Sequence, residues 1–559
     1  MSEQSGTDRS NGAASGKDRR RRWDDPFPEQ VGRLLDASAT TVDGIRVHPT
    51  CYVPDRILVS TLADVASMTE SLRRVAGELG WTLALDEKFV TSQLAESDAS
   101  RQERVLRYPW ATGVLGVARF LISVRPGEAV PAPDAWTLLQ RARAILGRDS
   151  LTGVGLDHLL TVDSIGANPF HSTNPFHSTN PFHSTNPFHS TNPFHSTNPA
   201  GSSVDVGAIG SYGSQGSGGL QPVAYAGPAP YRRDRSANEP RRPVVATLDT
   251  GCGPHSWLDP IVDTAVRLDG VAIGHNDPAT DPELDGDVVG VMDGGLDEVS
   301  GHGTFIAGLI HQACPEADIV AWRIVDSTGV IVESELVAAL TAIANLITRA
   351  ALGLPGGFGV DVFSLSMGYY HETPEDGLFD PTMYELLASL GRCGTVVTCS
   401  AGNDATDRPM FPAAFAPWRG GGGPVKLAAD AVPIVAARAL NPNGSTVALF
   451  SNDGPWIGCS APGGAVFSTM PAFNGGDQPL ARVESGFGEV IRVRESIDPD
   501  DFRGGFAVWS GTSFAAPLIA GAVASALDAA SLQPFGSGSL ADGVKVGSAA
   551  LKKVIAAAP

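Results

Sequence analysis

The chain has 559 residues, a hydrophobic fraction of 42% and a formal charge of −21 at neutral pH. That length exceeds one ordinary domain and implies two folded units with intervening segments. The acidic balance excludes a general nucleic-acid binder, which presents a basic face, and no uninterrupted apolar run reaches the roughly 18 residues of a membrane span.

Residues 1–44, rich in Ser, Gly, Asp and Arg, read as disordered. The basic run at 19–22 is followed by Trp23-Asp24-Asp25-Pro26, where a signal peptide needs an apolar stretch. The expected location is therefore the cytoplasm, with non-classical export left open. Order begins near Ile45. Arg56-Ile57-Leu58-Val59-Ser60 reads as a strand, and 65–79 as an amphipathic helix. Trp81-Thr82-Leu83-Ala84-Leu85 and residues 118–124 read as two further strands. Residues 134–146 form a second helix, N-capped by Asp134 behind Pro131 and Pro133, and 156–162 a fourth strand. The order β-α-β-β-α-β is the split βαβ, or ferredoxin-like, arrangement, which sets a first unit at 45–166.

The hexamer Asn-Pro-Phe-His-Ser-Thr then runs five times from Asn168 to Thr197. A six-residue period raises a β-helix, but Pro in every repeat removes a backbone donor, and one Phe per repeat buries little surface. An extended low-complexity linker over 167–242 is expected, continuing through a Gly/Ser-rich stretch and an Arg-rich one. The evenly spaced His171, His177, His183, His189 and His195 offer only weak metal binding.

From Pro243 the texture changes, and 243–559 reads as a second unit. Val244-Val245-Ala246-Thr247-Leu248 is a continuous apolar run, as a buried parallel strand requires. Further strands are expected at 319–325, 360–366 and 395–400, with helices at 336–349 and 384–390. Strands alternating with helices imply an α/β fold with a doubly wound parallel sheet, whose ligands bind at the carboxyl ends of the strands. The six cysteines, Cys51, Cys252, Cys314, Cys393, Cys399 and Cys459, form no C-x-x-C pair and read as reduced thiols, although Cys393 and Cys399 are near enough in sequence to pair under oxidation.

Three glycine-marked motifs carry the chemistry. Asp249 follows the apolar strand and precedes Thr250-Gly251. His302 lies between Gly301 and Gly303, at the start of an apolar helix. Ser513 lies in Gly511-Thr512-Ser513-Phe514-Ala515-Ala516-Pro517, at the entry of a small-residue helix whose N-terminus offers free N–H groups. Each alone also fits a turn or cap residue. Together, in the order Asp, His, Ser, they describe a carboxylate that orients a base, the general base and the nucleophile. Asn403, closing Ser400-Ala401-Gly402-Asn403 after a strand, supplies an amide donor suited to an oxyanion.

The conjunction resembles the subtilisin-like serine peptidase family over about residues 243–530. The motifs that carry it are Asp249-Thr250-Gly251, Gly301-His302-Gly303-Thr304 and Gly511-Thr512-Ser513, with Ser364-Leu365-Ser366-Met367-Gly368, Ser400-Ala401-Gly402-Asn403, Phe411-Pro412-Ala413 and Ser460-Ala461-Pro462-Gly463. The resemblance implies an endopeptidase with Asp249, His302 and Ser513 as triad. Asn403 and the Ser513 N–H form its oxyanion hole. Residues Ser364 to Gly368, with Ser400, Ala401 and Gly402, bind a protein or peptide substrate, the former by strand addition. It requires no cofactor for the chemistry and leaves room for structural calcium without assigned ligands. It also implies that the first unit is a propeptide-like domain acting in cis on the active site, with Arg232-Arg233 and Arg241-Arg242 as candidate processing sites.

The chain departs from the family in places. Phe305 stands where a second His is frequent. An acidic insertion with Asp277, Asp281, Glu283, Asp285, Asp287 and Asp293 separates Asp249 from His302, and another lies near 472–506. Met410 is expected to narrow the primary pocket. Alternatives remain: a catalytically silent binding module, a ligase or esterase on the same site, and a first unit that recruits a substrate or regulator.

Overall fold

The computed structural model describes residues 32–35, 46–87, 89, 115–162, 209–288, 295–374, 381–475 and 479–557. The hexamer repeat, Asp293 and most of the N-terminal stretch lie outside them.

The first unit contains strands β1 (Cys51–Ser60), β2 (Trp81–Leu85), β3 (Val117–Val124) and β4 (Val154–Val162), with helices α1 (Val65–Glu78) and α2 (Ala135–Leu146). The strands pair antiparallel in the order β4-β1-β3-β2. Leu72 and Val75 of α1 and Leu138 and Leu139 of α2 pack with Tyr52, Ile57, Trp81 and Phe120 into a core of its own. Both helices start at a side-chain cap: Asp64 accepts from the Ser67 N–H at 3.2 Å and Asp134 from the Thr137 N–H at 3.1 Å.

The second unit contains β5 (Gln221–Val223), β6 (Val244–Asp249), β7 (Val262–Asp263), α3 (His302–Ala313), β8 (Asp318–Arg323), β9 (Val330–Val332), α4 (Glu333–Ala351), β10 (Val362–Leu365), β11 (Met367–Gly368), α5 (Thr382–Arg392) and β12 (Val396–Ser400). It continues with β13 (Val435–Leu440), β14 (Ile457–Pro462), β15 (Val466–Thr469), β16 (Arg482–Phe487), β17 (Val490–Glu495), β18 (Phe506–Trp509), α6 (Thr512–Asp528) and α7 (Leu540–Ala557). Seven parallel strands form the central sheet in the order β14-β13-β12-β10-β6-β8-β7. β6 and β10 are buried along their whole length, which is why they read as unbroken apolar runs. Helix α4 is long and apolar enough to cross a membrane by length and composition, yet 72% of its apolar window is buried inside the fold.

The sequence places 209–242 in the linker, but the structure packs it on the second unit. β5 pairs with β18 at the edge of a three-stranded sheet. The arginines there are tied down by carboxylates: Arg241 bidentate to Asp361, Arg242 and Arg235 to Glu316, and Arg232 to Asp318. Composition misleads because surface arginines that pair with distant acids look the same in sequence as a solvated linker. The expected insertion near 472–506 contains the exposed hairpin of β16 and β17. The six cysteines are present as thiols.

The two units share a strand. β4 pairs with β1 as far as His158 opposite Tyr52, then carries on into the second unit. There Leu159, Leu160 and Thr161 pair antiparallel with Val332, Ile331 and Val330 of β9, and Thr161 and Val162 pair antiparallel with Gly368 and Met367 of β11.

Candidate active site

Asp249 ends β6 at the carboxyl edge of the central sheet, and its side chain is 1% exposed. His302 opens α3 and is fully buried, and its Nδ1 lies 2.6 Å from Asp249 Oδ1. The glycines around it have steric reasons. Gly301 sits at φ 79°, a left-handed conformation that L side chains resist. A Cβ on Gly303 would run into the Gly251 carbonyl oxygen. The tight approach of the Asp249-Thr250-Gly251 turn to the start of α3 brings His302 and Asp249 together. Thr250 N–H also donates to Asp249 Oδ1 at 2.8 Å and fixes the carboxylate.

Ser513 lies in the first turn of α6, fully buried. The His302 ring centroid is 5.5 Å from that of Phe514, the residue after Ser513, and 5.7 Å from that of Trp509, so aromatic rings next to Ser513 wall the histidine. Phe305, the departure from the family, fills the back of it with its ring 4.5 Å from Phe514. The Ser513 hydroxyl donates to the Ser366 carbonyl at 3.3 Å, and among the described residues His302 Nε2 has no hydrogen-bond partner. Among the described residues no hydrogen bond joins His302 to Ser513.

Asn403 is held by its carbonyl end. Its Oδ1 accepts from the Thr512 N–H at 2.9 Å and the Thr512 hydroxyl at 3.0 Å, while its buried Nδ2 has no partner among the described residues. The sequence reading missed Thr512, whose only signal was its place in Gly-Thr-Ser. It also missed Asn452, which donates to the Ala401 carbonyl at 3.0 Å and accepts from Asp404 and Thr406 N–H groups, knotting the loop after β12. Ala401 and Gly402 are held by the Ala437 carbonyl and the Thr512 hydroxyl, and Ser400 pairs with Ala437 in the sheet.

The expected substrate strand needs correction. Ser364 and Leu365 lie in the central sheet, with Ser364 paired on both sides, to Thr398 and Thr247, and Leu365 paired to Cys399. Met367–Gly368 instead pairs with β4 of the first unit. Ser366 joins the two stretches and donates its hydroxyl to the Ser513 carbonyl at 3.0 Å. Met410, 2% exposed, lies against both Gly368 and Gly402.

The acidic insertion serves as turn caps in its described part: Asp277 accepts from Ala279 N–H and Asp281 from Glu283 N–H, both at 2.9 Å. Among the described residues, one His/Cys/carboxylate group is close enough to hold a metal: His158, His371 and Glu372, at the boundary of the two units. The cations Arg143 and Arg408 act on the same group, which disfavours a divalent ion there.

A parallel α/β sheet with an aspartate–histidine pair at its carboxyl edge and a serine at a helix N-terminus defines a serine-hydrolase arrangement. A model described as the subtilase family, Peptidase S8, matches residues 241–534, a little over half of the chain, and the chain belongs to that family. Among solved structures, fervidolysin from Fervidobacterium pennivorans, a keratinolytic enzyme related to subtilisin, is similar at 18% identity and a TM-score of 0.39. That match covers 88% of this chain and 56% of fervidolysin, so the chain spans just over half of that protein's length. A lanthipeptide protease matches at 18% identity and a TM-score of 0.35, covering 55% of this chain and 78% of its own. A cold-adapted subtilisin-like serine proteinase matches at 17% and 0.33, covering 57% and 84%. No curated protein matches the sequence.

Proposed function

We propose that the protein is a serine endopeptidase acting through an acyl-enzyme. The observation that carries this reading is the buried 2.6 Å bond from His302 to Asp249, beside two buried groups that lack partners, His302 Nε2 and Asn403 Nδ2. A buried polar group without a partner is costly, and a transition state that bonds to both removes the cost. In the proposed cycle, His302 Nε2 takes the Ser513 proton as the oxygen attacks a peptide carbonyl, and Asp249 stabilises the imidazolium. Asn403 Nδ2 and the Ser513 N–H bind the oxyanion. His302 then protonates the leaving amine, and water, activated by the same base, releases the acid product. No step calls on a metal or cofactor.

The first unit is read as a ferredoxin-like, propeptide-like domain that restrains this site in cis. What supports this is that β4 occupies the edge of Met367–Gly368, where an extended substrate would add as a strand. The paired carboxylates of Arg232, Arg241 and Arg242 speak against processing at those arginines. The test is intact mass of wild type beside Ser513→Ala with a fluorophosphonate, on the full chain and on a chain begun at residue 209. An adduct on wild type alone is expected, stronger in the shorter chain. Labelling or peptide hydrolysis equal in Ser513→Ala would refute the assignment.

A further inference from the structure

Glu283 comes from the acidic insertion, is 1% exposed, and touches both halves of the Asp249–His302 pair's support. Helix α3 has Gly301 at its N-cap and no capping side chain of its own. Glu283 replaces that cap from outside the helix: Oε1 accepts from the Gly303 N–H at 2.8 Å, and Oε2 from the Thr304 N–H at 3.3 Å and the Thr304 hydroxyl at 2.5 Å. A carboxylate at this end satisfies free donors and meets the positive end of the helix dipole. Oε1 also bonds the Thr250 hydroxyl, which lies 3.2 Å from Asp249 Oδ1 and accepts from the Gly303 N–H at 2.7 Å.

We propose that Glu283 is a positioning residue for the hydrolytic reaction, fixing the start of α3 and setting the basicity of the Asp249–His302 pair through the Thr250 hydroxyl. The proposal rests on the peptidase reading of that pair and adds a fourth side chain to it. The hydroxyl has one hydrogen. When Glu283 is ionised, that hydrogen goes to Glu283, and Asp249 has one donor fewer. When Glu283 is protonated, its O–H donates to Thr250 Oγ1, whose own hydrogen passes to Asp249. The first state leaves Asp249 more basic and holds a proton on His302 more strongly. Burial pushes the Glu283 carboxyl up to about 7, opposed by the bonds from Thr250, Thr304 and Gly303 and reinforced by Asp281, so both states are populated near neutral pH. Cys252, whose thiol is held far above its ordinary value by burial, also acts on it, and Asp249 lies across the Thr250 hydroxyl.

The experiment uses the full chain with histidine-selective nitrogen-15 labelling in the Ser513→Ala background, with His302 assigned by the signal lost in His302→Ala. Glutamine at 283 keeps an acceptor for Thr304 and offers Thr250 a permanent donor, at the cost of facing the Gly303 N–H with a second donor, and Glu283→Gln is expected to move the His302 titration to lower pH. In the Thr250→Val background the same substitution should shift it by clearly less. With Ser513 intact, kcat should fall on the order of tenfold in Glu283→Gln while KM stays within about twofold. An unshifted His302 titration in a folded Glu283→Gln overturns the proposal, and an equal shift in both backgrounds overturns the route through Thr250. Absence of hydrolysis by the wild type removes the peptidase reading alone, because the His302 titration needs no turnover.

Discussion

At the scale of single residues, one amide is held at one end so that the other is free. Both Asn403 Oδ1 contacts come from Thr512, the residue before the nucleophile, so the Nδ2 group is oriented by the same turn that presents Ser513. In the proposed mechanism the donor is pre-aimed and costs no reorganisation when negative charge develops. Asn403→Ala is expected to lower kcat by roughly a hundredfold to a thousandfold with a small change in KM, read from initial rates on a peptide substrate. A raised KM with unchanged kcat would instead make Asn403 a ground-state contact. The type and spacing of Asn403 were legible in the sequence. Its orientation was not, because Thr512 is more than a hundred residues away and the pairing exists only after the sheet closes.

At the scale of elements, β4 belongs to two sheets. Its first half completes the antiparallel sheet of the first unit and its second half adds to β9 and β11. Beside that junction Asp157, fully buried, accepts from the Ser334 N–H and hydroxyl, both at 2.9 Å, and so caps α4 from the other unit. Arg119 reinforces the contact with 2.9 Å bonds to Glu335 and Asp86. Removal of a helix cap costs about 1–2 kcal/mol, so Asp157→Ala should shift the docking equilibrium by roughly fivefold to thirtyfold. Hydrogen exchange at the Leu159–Val162 amides measures this. Faster exchange confined to that segment is expected, and unchanged exchange would show that the cap contributes nothing to docking. The sequence showed β4 only as the fourth strand of the first unit. Nothing local distinguishes a strand that ends one sheet from a strand that joins two.

At the scale of the whole molecule, a buried histidine of the first unit lies between two carboxylates of the second. His158 Nδ1 is 2.6 Å from Glu333 and Nε2 is 2.8 Å from Glu372, with Tyr369 donating to the other Glu333 oxygen at 2.8 Å. Burial alone lowers the His158 pKa, but the two glutamates together push it up to about 10. Undocked, it returns to about 6.5. This group therefore strengthens docking fully below about 6.5, and its contribution is lost as pH rises through about 10. His371 opposes it on the acid side: burial, with the charge on His158 and on Arg143 and Arg408, pushes it down to about 3, so docking expels its proton below about 6.5. Glu372 is held well below the ordinary carboxylate range in the same cluster. Docking is expected to be tightest near neutral pH and to loosen between about pH 7 and 10, read as phosphonate labelling rate against pH. His158→Gln should abolish the alkaline rise. A rise that persists in that variant would assign it to another group.

The sequence by itself determined the fold class of the second unit and the order of elements in the first, and it singled out Asp249, His302, Ser513 and Asn403 as candidates. Each is written in local chemistry: continuous apolar runs for buried parallel strands, glycines where a left-handed turn or close approach leaves no room for a Cβ, and caps before helices. Tertiary structure alone decided which strand edge stays free, where the linker ends, and that Met367–Gly368 rather than Ser364–Leu365 meets β4. It alone brought Glu283 to the start of α3 and His158 to Glu333 and Glu372. Those outcomes depend on pairings between residues far apart in the chain, and a carboxylate on a solvated loop and one buried against a helix N-terminus are the same letter until the chain has folded.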